Sequence, residues 1–280
     1  MSMRLRIGHT PDADDAFMFY AIAEGKVSME GIEVEHIIGD IEELNRMALR
    51  NELDVTAISA HAYAYTKGYA ILRSGASFGL SYGPILVARH AIGVDELAYM
   101  RIAVPGKLTT AYLLLEMALR EYFQKCLDVV VEMRFDEIED AVLSGKVDAG
   151  LLIHEAQIAH KYGLHKVLDL GAWWSSISNG LPLPLGIDVA SLSLGETLPR
   201  ISLLLKQSIA YAYEHFDDAV DYAMRYARGK DRGTIVRFVK MYVNDLTMDM
   251  GDIGYKALKR LYSLASSRGI IAGEPEVILA

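Results

Sequence analysis

Residues 150–157 read GLLIHEAQ. Gly150 to Ile153 suit a buried strand close to its end, where His154 and Glu155 arrive together. A histidine there is either a satisfied structural residue or a base. A neutral imidazole, with an ordinary pKa of about 6.5, is well matched to taking a proton near pH 7. Ser59, Ala60 and His61 stand at a second strand end. In the stretch PGKLTTA, 105–111, Thr109, Thr110 and Ala111 open an apolar helix. Unpaired N–H groups at a helix start, with two hydroxyls beside them, make a cradle for a carboxylate or phosphate; the plainer reading is a threonine cap.

The loop HTPDADD, 9–15, holds Pro11, Asp12, Asp14 and Asp15. Thr10 caps a helix with Pro11 at its first position, or Asp12 caps it with Asp15 three residues on. The carboxylates also suit the positive end of the helix dipole. Sharper readings are a cleft-facing loop or an acidic metal cluster. Nothing else in the chain completes an oxygen-ligand site, so no metal is expected.

These residues need elements to hold them. LRIGHT (5–10), EVEHIIG (33–39) and LDVTAIS (53–59) read as strands. Between them, 12–24 carries helical spacing at Phe17, Tyr20 and Ala21, and 41–52 puts Ile41, Leu44 and Ala48 on one helical face. This βαβαβ order predicts an α/β fold with a largely parallel sheet. The stretch 135–153 then echoes 41–59 at a shift of ~94 residues. Leu44 falls on Ile138, Leu49 on Leu143, Leu53 on Val147, Asp54 on Asp148 and Ile58 on Leu152. Likewise 101–122 begins like 5–25. Two similar lobes are expected: 1–90 with 190–280, the larger, and 91–189, the smaller. The crossovers fall in GPILVARHAIG (83–93) and LPLPLGIDVA (181–190). Ligands of open α/β sheets bind beyond the carboxyl ends of strands, so the cleft lies between the lobes, where His154, Ser59, Thr109 and Thr110 converge.

The last ninety residues carry apolar residues at spacings of three and four, with Gly229 and Gly269 as stops. A helical segment packed on lobe one is expected. GASFGLSYGPI (75–85), with Tyr82, reads as a hinge or a cleft lining. WWSSISNGLPLPLG (173–186) offers the site an aromatic wall or packs between the lobes.

Composition narrows the classes. The chain has 280 residues, 52% of them hydrophobic, which is enough for a large core. No apolar run is long enough for a bilayer, and the opening residues do not read as a signal peptide, so a cytoplasmic protein is expected. The one cysteine, Cys126, permits no disulfide framework and no cysteine-based zinc site. The formal charge of −9 and the scattered basic residues argue against nucleic acid. An anionic ligand must be held by local donors.

The stretches HTPDADDAFMFYAI, DIEELNRMALRNELDVTAISAHAYAY, SGASFGLSYGP, VPGKLTTAYLLL, DAGLLIHEAQ and NGLPLPLG together resemble the 1,4-dihydroxy-6-naphthoate synthases of menaquinone biosynthesis by the futalosine route. The likeness runs from about residue 5 to 190. It implies a periplasmic-binding-protein type II fold. It also implies a lyase that converts cyclic dehypoxanthine futalosine to 1,4-dihydroxy-6-naphthoate and a three-carbon sugar fragment, without a cofactor. The family's catalytic histidine falls on His154. Its substrate-contacting positions fall on Asn45, Ser59 and the Thr109–Thr110–Ala111 turn. The implied partner is a small carboxylate substrate, and a homodimer through the helical tail is a candidate. The rivals are a non-catalytic solute-binding or sensing protein for small anions, the related chorismate dehydratase and, last, a metal-dependent hydrolase using Asp12, Asp14 and Asp15.

Overall fold

Parallel pairing begins with the first two strands of the chain. The computed structural model describes residues 3–123 and 129–280, so Cys126 lies outside the described residues. Strand β1 (Met3–His9) leads into helix α1 (Ala13–Ala23), followed by β2 (Ile32–Ile38), α2 (Ile41–Leu49), β3 (Val55–Ser59), the short α3 (Ala60–Tyr63), β4 (Tyr69–Ile71) and β5 (Ser77–Gly79). Next come β6 (Ile85–Ala88), β7 (Ile102–Val104), α4 (Thr110–Phe123), β8 (Val130–Glu132), α5 (Ile138–Leu143), β9 (Ala149–Leu152), β10 (His165–Asp169) and α6 (Leu170–Ile177). Strand β11 (Leu183–Ser191) then precedes the helices α7 (Leu198–Glu214), α8 (Phe216–Met224), α9 (Arg232–Tyr242), α10 (Asp245–Met248) and α11 (Gly251–Ser267).

One sheet has the order β2-β1-β3-β11-β4, with β5 paired to β11. The other has the order β10-β6-β9-β7-β8. Strand β1 runs parallel to β2 and β3, and β7 runs parallel to β8 and β9. The returning strands β11 and β6 are antiparallel to their neighbours. Because β6 belongs to the second sheet and β11 to the first, the chain changes sheets between residues 79 and 85 and again between 169 and 183.

The internal echo has a structural counterpart. Asp54 accepts the Arg6 N–H at 2.8 Å and returns its own N–H to the Arg6 carbonyl at 3.0 Å. Asp148 does the same with Arg101, at 2.8 and 2.9 Å. In each sheet an aspartate one residue ahead of a central strand ties that strand to its parallel neighbour. This fixes the register that brings both strand ends to the cleft.

Helix α1 is apolar nearly all round and buried from Ala13 to Ile22. It packs on α7, α8 and α9 in one core with Leu5, Ile7 and Val55 of the first sheet. A helix without a polar face requires cover on every side, and the helical tail supplies it. Helix α11 packs on β11. The chain end returns to the first sheet, where Ile71 donates its N–H to Ile278 at 2.8 Å. Gly229 and Gly269 have φ of +81° and +66°, in the left-handed region where helices stop. No helix among the described residues is long and apolar enough to cross a membrane.

Candidate functional site

A cleft takes its walls from both sheets, from the start of α1 and from α9. Ser59 and Ser77 come from strands of the first sheet, Thr10 and Gly75 from its loops, and Asp14 and Asp15 from the first turn of α1. Thr109, Thr110, Ala111 and His154 face them.

His154 follows β9 directly, with a φ of +52°, a conformation that costs a residue with a Cβ on the order of 1 kcal/mol. The left-handed turn ends the strand and starts a short 3₁₀ turn, His154–Gln157. Continued strand geometry would send Glu155 to the opposite face. The turn instead carries Glu155 back to accept the Ala13 N–H of α1 at 3.1 Å. The His154 ring meets the Phe135 ring edge-on, 4.7 Å between centroids. Its Nε2 lies 3.1 Å from Asp12 Oδ2, but without hydrogen-bond alignment. Burial pushes the imidazole pKa below its usual value, against the opposing pull of Glu155 and Asp14, so the neutral ring is favoured.

The Thr109–Thr110–Ala111 turn lies across the cleft at the start of α4. Its hydroxyls are already committed. Thr109 Oγ1 donates to the Gly106 carbonyl at 2.7 Å and accepts the Tyr112 N–H at 3.2 Å, which makes it the helix cap. Thr110 Oγ1 donates to the Leu185 carbonyl at 2.7 Å and accepts the His61 N–H at 3.1 Å. The hydroxyls therefore shape the turn. No hydrogen bond among the described residues takes up the N–H groups of Thr110 and Ala111, and these remain for an anion at the positive end of the helix. On the other wall, Asn45 is fully buried behind Ser59. Its Oδ1 accepts the Ser59 N–H at 2.8 Å and its Nδ2 donates to Ser59 Oγ at 3.1 Å. Asn45 thus fixes Ser59 and does not line the cleft.

The three aspartates of the first loop go separate ways. Asp12 occupies the cap position of α1 but makes no cap bond; Arg228 Nη1 donates to its Oδ1 at 3.0 Å. Asp14 accepts from Ser77 Oγ at 2.9 Å, and Asp15 accepts the Thr10 N–H at 2.8 Å. Burial raises the carboxyl pKa of all three, that of Asp12 to about 6. Among the described residues no group of three or more His, Cys, Asp or Glu is arranged to hold a metal ion.

Pro11, Asp12, Ala60 and Tyr82 lie outside the cleft lining. Tyr82 instead packs edge-on against Tyr242, 5.1 Å between centroids, and its hydroxyl donates to the Met241 carbonyl. The tryptophans pack rather than wall the site: Trp174 Nε1 donates to the Leu181 carbonyl at 2.9 Å and Trp173 Nε1 to Glu121 at 3.2 Å. Phe238 and Tyr242 of α9 supply the aromatic surface, and Tyr242 donates to Gln157 Oε1 at 2.8 Å, linking the tail to the turn after His154. Sequence reading missed them, because one face of a tail helix gives no sign of which cavity it borders.

A family profile described as menaquinone biosynthesis matches residues 5–267. A 1,4-dihydroxy-6-naphthoate synthase of Thermus thermophilus is 40% identical over 274 residues, covering 97% of each chain. One of Streptomyces coelicolor is 35% identical over 271 residues, covering 95% of this chain and 94% of that one. A crystal structure of an Archaeoglobus fulgidus protein matches with a TM-score of 0.88 at 50% identity, covering 96% of this chain and 98% of the other. The alkanesulfonate-binding protein of Xanthomonas axonopodis matches with a TM-score of 0.70 at 12% identity, covering 99% and 96%, and at that distance shows the fold alone: that of periplasmic binding proteins.

Proposed function

The chain belongs to the menaquinone-biosynthesis family that contains the 1,4-dihydroxy-6-naphthoate synthases, and from that premise we propose that it cleaves cyclic dehypoxanthine futalosine to 1,4-dihydroxy-6-naphthoate and a three-carbon sugar fragment. The N–H groups of Thr110 and Ala111 hold the substrate carboxylate at the start of α4. His154, neutral and at the cleft wall, takes the proton that starts carbon–carbon cleavage. The ring left behind becomes aromatic, so the later steps run downhill. The first sheet with the helical tail forms one lobe of the enzyme and β6–β10 the other, with the substrate between them.

The observation that carries this reading is the cleft itself. It joins one imidazole, held at a strand end in a left-handed turn, to unpaired amide N–H groups at a helix start. A binding protein needs the amides but has no use for the imidazole. General-base catalysis contributes about 10²–10⁴-fold, with positioning supplying much of the rest. Purified protein given the cyclic substrate, with and without chelator, should release the naphthoate in both cases. His154→Ala should lower kcat about 10²-fold or more while substrate still binds. Wild-type turnover by that variant would remove His154 from the role of base.

A further inference from the structure

Asp12 stands where a helix cap belongs, yet its carboxylate has left that work. Glu155 takes the Ala13 N–H, and the two Asp12 oxygens turn to two other groups. Oδ1 accepts from Arg228 at 3.0 Å, and Oδ2 sits 3.1 Å from His154 Nε2. Both Oδ2 and Nε2 are sealed from solvent, and neither has a hydrogen bond to any other described group. The His154 side chain is 16% exposed and lines the cleft; with Nε2 sealed, the ring edge that carries Nδ1 is the one left to meet a ligand. The surroundings fix this arrangement from three elements. Phe135 meets the histidine ring edge-on, and the Arg228 guanidinium lies over the Phe135 face, 4.4 Å from the centroid. Arg228 itself has a φ of +48°.

We propose that Asp12, anchored by Arg228, is the positioning residue of His154: it holds the imidazole proton on Nε2 and leaves the Nδ1 lone pair to meet the substrate. This rests on His154 being the base. The distance is that of a hydrogen bond and the angle is not, and a small rotation of the ring completes the contact. Arg228 keeps Asp12 an acceptor by favouring its ionised form against burial. Asp14, Glu155, Asp40 and Arg228 are the other charged groups that act on the ring.

Nitrogen-15 NMR of the imidazoles, with His154 assigned by comparison with His154→Gln, reads the tautomer independently of turnover. The expected result is an Nε2–H imidazole in the wild type, weakened in favour of the other tautomer in Asp12→Asn; an Nδ1–H imidazole in the wild type overturns the proposal. In kinetics, Asp12→Asn should lose at least tenfold in kcat with KM changed less than threefold. Asp12→Glu should recover part of that loss. Asp12→Asn combined with His154→Ala should be no slower than His154→Ala alone, as expected for residues acting as a unit. If His154→Ala abolishes turnover and Asp12→Asn leaves kcat unchanged, the positioning role is wrong and the base stands. If both variants turn over normally while NMR shows the Nε2–H form, the base is wrong and the contact stands. Should Asp12→Asn fail to fold, Arg228→Gln serves: the acid limb of its kcat profile should move to higher pH, and an unmoved limb overturns the proposal.

Discussion

Behind the Asp14–Asp15 wall of the cleft lies Asp188, fully buried, with no hydrogen-bond partner for either carboxyl oxygen. Gly75 gives it room: a Cβ there would lie 1.9 Å from Asp188 Oδ2, and the φ of +95° also suits glycine. Burial, then the neighbouring Asp15 and Asp14, pushes the Asp188 carboxyl well above its usual range. The folded protein therefore holds this group protonated while the unfolded chain ionises it above about pH 4. Its stabilising effect is complete below that pH and is lost as pH rises toward the folded pKa, at up to about 1.4 kcal/mol per pH unit. Asp188→Asn should thus raise the thermal midpoint relative to wild type, and by more at pH 8 than at pH 5. A gap that stays constant with pH would show that Asp188 is not held protonated. None of this is legible in LPLPLGIDVA, 181–190, which reads as a crossover between the lobes. A buried acid looks the same in sequence as an exposed one at a strand start, because only tertiary neighbours distinguish them.

At the scale of elements, the loop before α4 leads into the proposed anion site, and α2 holds that loop in place. Glu42 Oε2 accepts the Leu108 N–H at 3.1 Å, and Arg46 bridges Glu42 and Glu132 at 3.1 Å each. Gly106, with a φ of +149°, passes so close that a Cβ would lie 2.3 Å from Glu42 Oε2. Gly106→Ala should displace the loop and raise KM severalfold with a smaller effect on kcat. An unchanged KM would separate the loop from substrate binding. The periodicities were enough to read these elements. The echo of 41–59 in 135–153 corresponds to α2–β3 and α5–β9, and Asp54 and Asp148, aligned in sequence, make the same contact with Arg6 and Arg101. The departures occur where side chains are diverted from local work. Asp12 looks like a helix cap but serves Arg228 and the neighbourhood of His154. Asn45, a substrate-contacting position only by the family resemblance, bonds Ser59 through both ends of its amide. Local sequence shows that a residue is able to cap or to bind; the long-range partner that claims it does not appear in the local pattern.

For the whole molecule, the formal charge of −9 would repel an anionic substrate at long range, while the donors proposed to hold it are amide dipoles acting at contact distance. Salt screens the repulsion over about 10 Å at 0.1 M and leaves the buried contacts largely untouched. Raising ionic strength from about 20 to 200 mM should therefore raise kcat/KM modestly. A steep fall with salt would point to exposed cations in the capture of substrate. Contacts across the cleft, from Glu155 to Ala13 and from Tyr242 to Gln157, tie the two sheets and the tail around the ligand space. The most direct measurement is a crystal structure with the naphthoate product bound. The account predicts the product carboxylate within hydrogen-bond reach of the Thr110 and Ala111 N–H groups, with its ring beside His154 Nδ1. A carboxylate seated away from that turn, or a ring out of reach of the imidazole, would contradict it.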